Sequence, residues 1–256
     1  MSIFSLKGKK GLITGIANNK SIAYGCAKMI HEAGAEIALT YQNEKTKKYT
    51  EDLAKSLDAK LFLEFDVTVE GSLENVFSAI EKKWGKLDFF IHAIAFSKAE
   101  DLHTSIINTS ADGFAFAMDV SCHSFLKMAK CATPLMKDGG AMLTLTYYGA
   151  EKAIENYNIM GPIKAALESS VRYMAKDLGE KGIRVFAVSP GPVDTRAGSG
   201  IKDFNQLLDS AKEKSPMKKL VTLEEIGNLA AFLVGPGSTG MTGQTIFVDA
   251  GYHIIG

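Results

Sequence analysis

The chain has 256 residues, 46% hydrophobic and 23% charged, so it can bury a sizeable core and is neither a disordered nor a fibrous sequence. Its 29 basic and 29 acidic side chains cancel to a net charge of zero, which supplies no general field toward nucleic acid or a membrane surface. Three cysteines (Cys26, Cys122 and Cys131) with no Cys-x-x-Cys pair, and five scattered histidines, offer neither a disulfide framework nor a metal motif, and fit a reducing cytoplasm.

The N-terminal stretch from Met1 to Lys10 is basic but lacks the apolar run of a signal peptide, and no run of apolar residues is long enough to span a membrane. No repeat, linker or shift in composition divides the chain, so a single domain over residues 1–256 is expected. Strand-like apolar runs fall at Gly11–Thr14, Glu36–Thr40, Leu61–Phe65, Phe89–Ala93, Met142–Thr146, Val185–Val188 and Thr245–Val248. Between them, helical spacing predicts helices over Ile22–Ala33, Lys45–Leu57, Leu73–Trp84, Val120–Met136, Ile163–Leu178 and Leu223–Val234, with Gly34 and Gly179 as left-handed C-caps. This alternation predicts an α/β fold: one doubly wound Rossmann-type domain with about seven parallel strands and helices on both faces. Ligands of such sheets bind beyond the carboxyl ends of the strands, so the segments after each strand carry the chemistry.

After the first strand, Gly15 suits either the tight turn of a dinucleotide-binding loop, with Asn19 and Ser21 where further glycines are usual, or an ordinary strand–helix turn. Ser21 reads as an N-cap whose hydroxyl also suits a phosphate. The second strand ends at Gln42, neutral where an arginine would select a 2′-phosphate, which favours NADH over NADPH. Asp66, after the third strand, suits either an adenine edge or a helix N-cap. His92, ending the fourth strand, reads as a satisfied buried histidine, and the small residues after it leave room against the sheet. Past the fifth strand, Tyr157 and Lys164 are seven apart, about two helical turns, so both side chains can share one face, although Gly161-Pro162 weakens a helix there. A lysine beside a phenol is expected to lower its pKa and make it a better proton donor, the alternative being surface aromatics beside a solvated lysine.

These pieces recur together. Gly15…Ser21-Ile22-Ala23, Tyr41-Gln42-Asn43-Glu44, Asp66-Val67, Tyr147…Tyr157-x6-Lys164, the run from Ser189 to Ala197, and Gly200-Ile-Lys-Asp-Phe204 resemble the NADH-dependent enoyl-(acyl carrier protein) reductases of bacterial type II fatty acid synthesis, a divergent branch of the short-chain dehydrogenase/reductases. The resemblance covers the chain from Leu6 to Gly251. Ordinary members of the wider family carry Tyr-x-x-x-Lys, and Met160 occupies that tyrosine position here.

The resemblance implies catalytic roles for Tyr147, Tyr157 and Lys164. It implies an NADH site of Gly15, Ser21, Ile22, Gln42, Asp66, Val67, Ile94 and Lys164, with Val193, Asp194, Thr195, Arg196 and Ala197 closing over the nicotinamide. Ser97, Tyr147, Tyr157, Met160, Ile201 and Phe204 are implied for the acyl pocket, within a substrate-binding segment around 193–215. The run Val193-Asp194-Thr195-Arg196 departs from the resemblance, since many relatives carry a basic residue and then a leucine there. The implied partner is acyl carrier protein bearing an enoyl thioester, met by Arg196, Lys202, Lys212, Lys214, Lys218 and Lys219; a cytoplasmic homotetramer is implied, with no metal, nucleic acid or membrane insertion. The rival readings are a carbonyl-reducing short-chain enzyme and a non-catalytic dinucleotide sensor.

Overall fold

The computed structural model describes residues 3–255; Met1 and Ser2, which open the basic N-terminal stretch, and Gly256 lie outside the described residues. Seven strands, β1 (Lys10–Ile13), β2 (Glu36–Tyr41), β3 (Leu61–Glu64), β4 (Phe89–His92), β5 (Gly140–Leu145), β6 (Ile183–Pro190) and β7 (Gln244–Val248), form one parallel sheet in the order β3-β2-β1-β4-β5-β6-β7. Each strand boundary lies within two residues of its sequence expectation. The strand order reverses between β1 and β4, which places a crevice beyond their carboxyl ends.

Nine α-helices are described: α1 (Ile22–Glu32), α2 (Glu44–Ser56), α3 (Ser72–Trp84), α4 (Ala99–Leu102), α5 (Ala111–Met118), α6 (Ser124–Ala132), α7 (Met160–Leu178), α8 (Phe204–Lys214) and α9 (Leu223–Val234). Alternating side chains along the strands feed two separate cores. Phe90 and Met142 join one with α3, α6 and α7, while Phe89, Ile91 and Leu143 join the other with α1 and α9. Burying apolar side chains on both faces is what makes these strands read as near-continuous apolar runs.

Four sequence expectations are corrected. The single helix expected over Val120–Met136 is broken: a π-helical turn, Asp119–His123, joins α5 to α6, and a 3-10 turn, Thr133–Leu135, follows. Gly179 is right-handed (φ −59°), and the left-handed residue comes after one more 3-10 turn, at Gly182 (φ 69°). Asp66 caps no helix, because α3 starts only after Gly71. The last correction concerns α7, which starts at Met160, so Pro162 sits in its first turn, where a missing N–H is tolerated. Tyr157 therefore precedes the helix, and helical repeat does not bring it to the face of Lys164.

Candidate active site

Gly15 turns the chain with φ +90° at the switch point, and a Cβ there would meet the Ala93 carbonyl oxygen at 2.0 Å. No other residue lets the β1 loop approach the β4 loop this closely. Behind it, α1 has no acidic residue in its first turn and no side-chain cap, which leaves its N-terminal N–H groups open to an anion. Ser21 is the N-cap residue, as expected, but its side chain makes no capping bond; its Oγ turns back into the loop and accepts from the N–H groups of Ala17 (3.0 Å) and Asn18 (3.1 Å).

A two-part cleft runs across this point. Its smaller chamber, about 350 Å³, is lined by Gly15, Gln42, Asp66, Val67 and Ile94. Gln42 Nε2 donates to Asp66 Oδ2 at 2.9 Å, while Asp66 Oδ1 accepts from the N–H (2.9 Å) and hydroxyl (2.7 Å) of Thr68. Burial acts to raise the Asp66 pKa, but the hydrogen bonds from Thr68 and Gln42 prevail and hold it below the usual carboxylate range. Because a carboxylate only accepts, the Gln42 amide presents its carbonyl oxygen to the other side.

The larger chamber, about 490 Å³, shares Gly15 and Ile94 with the first. Ser21, Ile22 and Lys164 line it together with Val193, Thr195, Arg196 and Ala197. So do all the residues expected at the acyl pocket: Ser97, Tyr147, Tyr157, Met160, Ile201 and Phe204. Asp194 is the one expected site residue outside both chambers. It pairs with Lys20 at the surface, Nζ to Oδ2 2.8 Å.

Tyr157 reaches the chamber from a tight turn whose flanking residues, Asn156 (φ 62°) and Asn158 (φ 39°), are both left-handed, a conformation asparagine tolerates. Both amides anchor the turn. Asn156 Nδ2 donates to the Lys202 carbonyl (3.2 Å) and Asn158 Nδ2 to that of Leu102 (2.7 Å). The Tyr157 ring packs edge-on against Tyr147, centroids 5.0 Å apart at 67°. The Tyr147 hydroxyl is buried and has no hydrogen-bond partner among the described residues. Lys164, 6% exposed, donates from Nζ to the Leu145 carbonyl at 2.7 Å.

The electrostatics overturn one expectation. Burial, reinforced by Tyr147 and Glu168, pushes the Tyr157 phenol far above its ordinary range, and Lys164 does not lower it. Burial instead brings the Lys164 ammonium down to about 8. Tyr157 is thus a neutral hydrogen-bond donor, the form suited to meeting developing negative charge. His92 is buried, as expected. The Ser124 hydroxyl donates to the Val120 carbonyl (2.6 Å), so His92 Nε2–H donates to Ser124 Oγ (2.7 Å) and Nδ1 accepts from Thr144 (2.9 Å).

Several lining residues escaped sequence reasoning. Leu102 belongs to the short helix α4, Phe116 to α5, and Thr146 directly follows β5. Ser110, which accepts from the Gly113 N–H at 2.9 Å, was a readable N-cap signal for α5. Among the described residues no three His, Cys, Asp or Glu side chains converge as a metal site, and no helix is long and apolar enough to cross a membrane.

A parallel sheet with a glycine turn at its switch point, an open helix start, a two-chambered cleft and a buried tyrosine and lysine in its wall define a dinucleotide-dependent oxidoreductase. The family model for enoyl-(acyl carrier protein) reductase matches residues 15–253. An enoyl-(acyl carrier protein) reductase (NADH) of Rhizobium meliloti (strain 1021) is 52% identical over 98% of this chain and 92% of its own length. A second, from Rickettsia typhi (strain ATCC VR-144 / Wilmington), is 46% identical over 98% of this chain and 96% of its own. The crystal structure of the Anaplasma phagocytophilum enoyl-(acyl carrier protein) reductase in complex with NAD superposes with a TM-score of 0.95 at 47% identity, covering 100% of this chain and 97% of that one. The chain belongs to the enoyl-(acyl carrier protein) reductase family.

Proposed function

We propose that this chain reduces the carbon–carbon double bond of a trans-2-enoyl thioester carried by acyl carrier protein, with NADH as reductant, in fatty acid elongation. The observation that carries the reading is the convergence of Tyr147, Tyr157 and Lys164 on one cleft, in a chain of this family. The close backbone approach at Gly15 and the uncapped start of α1 fit a pyrophosphate, and the Gln42 carbonyl oxygen fits a ribose hydroxyl better than a phosphate.

NADH, when bound, supplies the hydride that reaches the β-carbon. The neutral Tyr157 hydroxyl donates to the thioester oxygen as negative charge gathers there. Tyr147, whose hydroxyl has no partner among the described residues, walls the pocket and offers a second donor. Lys164 holds the cofactor ribose hydroxyls and supplies positive charge. Gly15, Ser21, Ile22, Gln42, Asp66, Val67 and Ile94 bind the dinucleotide; Val193, Thr195, Arg196 and Ala197 cover it, and Asp194 acts from outside through Lys20. Ser97, Met160, Ile201 and Phe204 shape the acyl pocket, within a substrate segment spanning residues 193–215 of a single domain. The protein works in the cytoplasm as a homotetramer and receives its acidic carrier at a mouth edged by Arg196 and Lys202.

The carbonyl-reducing alternative lacks its residue: Met160, buried in the cleft wall, stands where that chemistry needs a tyrosine. The deciding experiment follows NADH consumption after adding a 2-enoyl thioester or a 3-keto thioester. Consumption with the enoyl substrate alone is expected, and consumption with only the keto substrate would overturn the reading.

A further inference from the structure

Glu168 lies one helical turn beyond Lys164 on α7 and is 7% exposed, yet no step described so far uses it. A buried carboxylate is retained only where hydrogen bonds or charge compensate its lost hydration. Thr146, the residue between Leu145 and Tyr147, donates its hydroxyl to Glu168 Oε1 at 2.6 Å, and Thr245 of β7 donates as well. The end of β5 is thus fastened to α7 twice: by Lys164 on the Leu145 carbonyl, and by Glu168 on the Thr146 hydroxyl.

The charge balance around Lys164 is equally lopsided. From the π-turn Cys122 faces it, held as a neutral thiol by burial; from β4, His92 faces it, held neutral by burial and by Lys164 itself. Tyr157 and Tyr147, on the segment after β5, are kept protonated by burial. Glu168 is the remaining acid. Burial and Glu151 push its own pKa up, while Thr146, Thr245 and Arg172 favour its anionic form.

We propose that Glu168 is a positioning residue for the reaction: its carboxylate holds the Thr146–Tyr147 segment that follows β5 and keeps the buried Lys164 ammonium charged beneath the cofactor site. Burial is the largest influence on Lys164, with Cys122 and Glu168 opposing it, so without the Glu168 anion the lysine sheds its proton at lower pH. The inference rests on the reading of Lys164 as the lysine that holds the cofactor.

The test is direct NADH binding, followed by fluorescence without substrate, as a function of pH in the wild type, Lys164→Arg, Glu168→Gln and Thr146→Val. Wild-type affinity should fall as pH rises through about 8. Lys164→Arg, which cannot deprotonate, should abolish that break. Glu168→Gln should move it down by roughly one pH unit, the lower end of what a close opposite charge confers. Should Glu168→Gln fail to fold, Glu168→Asp serves, since drawing the charge back by one methylene should move the break the same way by less. Thr146→Val keeps both charges, so the break should stay while kcat falls. If Lys164→Arg leaves the wild-type break unchanged, or no break exists, the reading of Lys164 fails. If Lys164→Arg removes the break but the Glu168 variant leaves it in place, the reading of Lys164 stands and the role of Glu168 is overturned. An unchanged kcat in Thr146→Val removes the positioning half of the proposal.

Discussion

Lys20 and Asp194 meet at 2.8 Å across the mouth of the cleft and join the loop after β1 to the loop after β6. Both side chains are more than half exposed, so the pair contributes little to stability. On the proposed reading its effect would fall on binding, because it engages the Lys20 cation, one residue before the N-cap of α1, with a carboxylate. Asp194→Ala should leave Tm within about 2 °C of wild type and tighten NADH binding about two- to fivefold at low salt. Thermal unfolding and NADH titration at two ionic strengths check both; a Tm loss with no change in affinity would make the pair a structural brace.

The neutral state of Tyr157 sets the next outcome. Tyr157→Phe removes a donor from a water-poor pocket, and turnover on an enoyl thioester should drop about 100- to 1000-fold while NADH affinity is kept. Single-turnover kinetics and cofactor titration separate the two, and unaltered single-turnover rates would assign the donor role to Tyr147.

Acid sensitivity should trace in part to His92. Its folded-state pKa is lowered to about 3 from 6.5, because burial and the nearby Lys164 disfavour the charged ring. The unfolded chain therefore takes up a proton that the folded chain refuses. Stability from this group is present above about pH 6.5 and is lost as pH falls toward 3, by at most about 1.4 kcal/mol per pH unit. Urea unfolding at pH 7 and pH 4.5 should show a steeper loss for wild type than for His92→Gln. That variant is itself weaker at pH 7, because Thr144 and Ser124 lose a partner.

At the mouth, Lys202 is exposed and its backbone is pinned by Asn156, so its charge can be reversed without disturbing the pocket. Lys202→Glu should raise KM severalfold for the acidic protein-borne substrate, more at low salt, and leave a coenzyme A thioester nearly unaffected. Equal losses on both substrates would instead indicate damage to the pocket.

The strands were legible because burial on both faces leaves so little choice of residue, and the cleft residues after them followed from the sheet rule. What stayed hidden has physical causes. The π-turn at Asp119–His123 interrupts the helical repeat between α5 and α6, so the periodicity that marks α6 does not extend back to α5, whose Phe116 lines the cleft. The electrostatic expectation for Tyr157 failed because spacing along the chain carries no information about desolvation, which here outweighs every nearby charge. Asp194 was expected at the cofactor by its position in a motif, whereas its partner, Lys20, is 174 residues away in sequence.

The turn that carries Tyr157 is tied on one side to the Lys202 carbonyl, at the threshold of α8, and on the other to the Leu102 carbonyl, at the end of α4. A third tie, from His103 Nε2 to the Gly200 carbonyl at 2.9 Å, links those two banks directly. The arrangement is a closed triangle with the phenol at one corner, so neither bank can be displaced without loading the corner. On the proposed reading, an acyl chain that pushes Phe204 outward would pull on the backbone of the tyrosine assigned to its thioester oxygen. On that reading, chain-length preference and catalytic alignment would share one mechanical linkage, the three ties of this triangle.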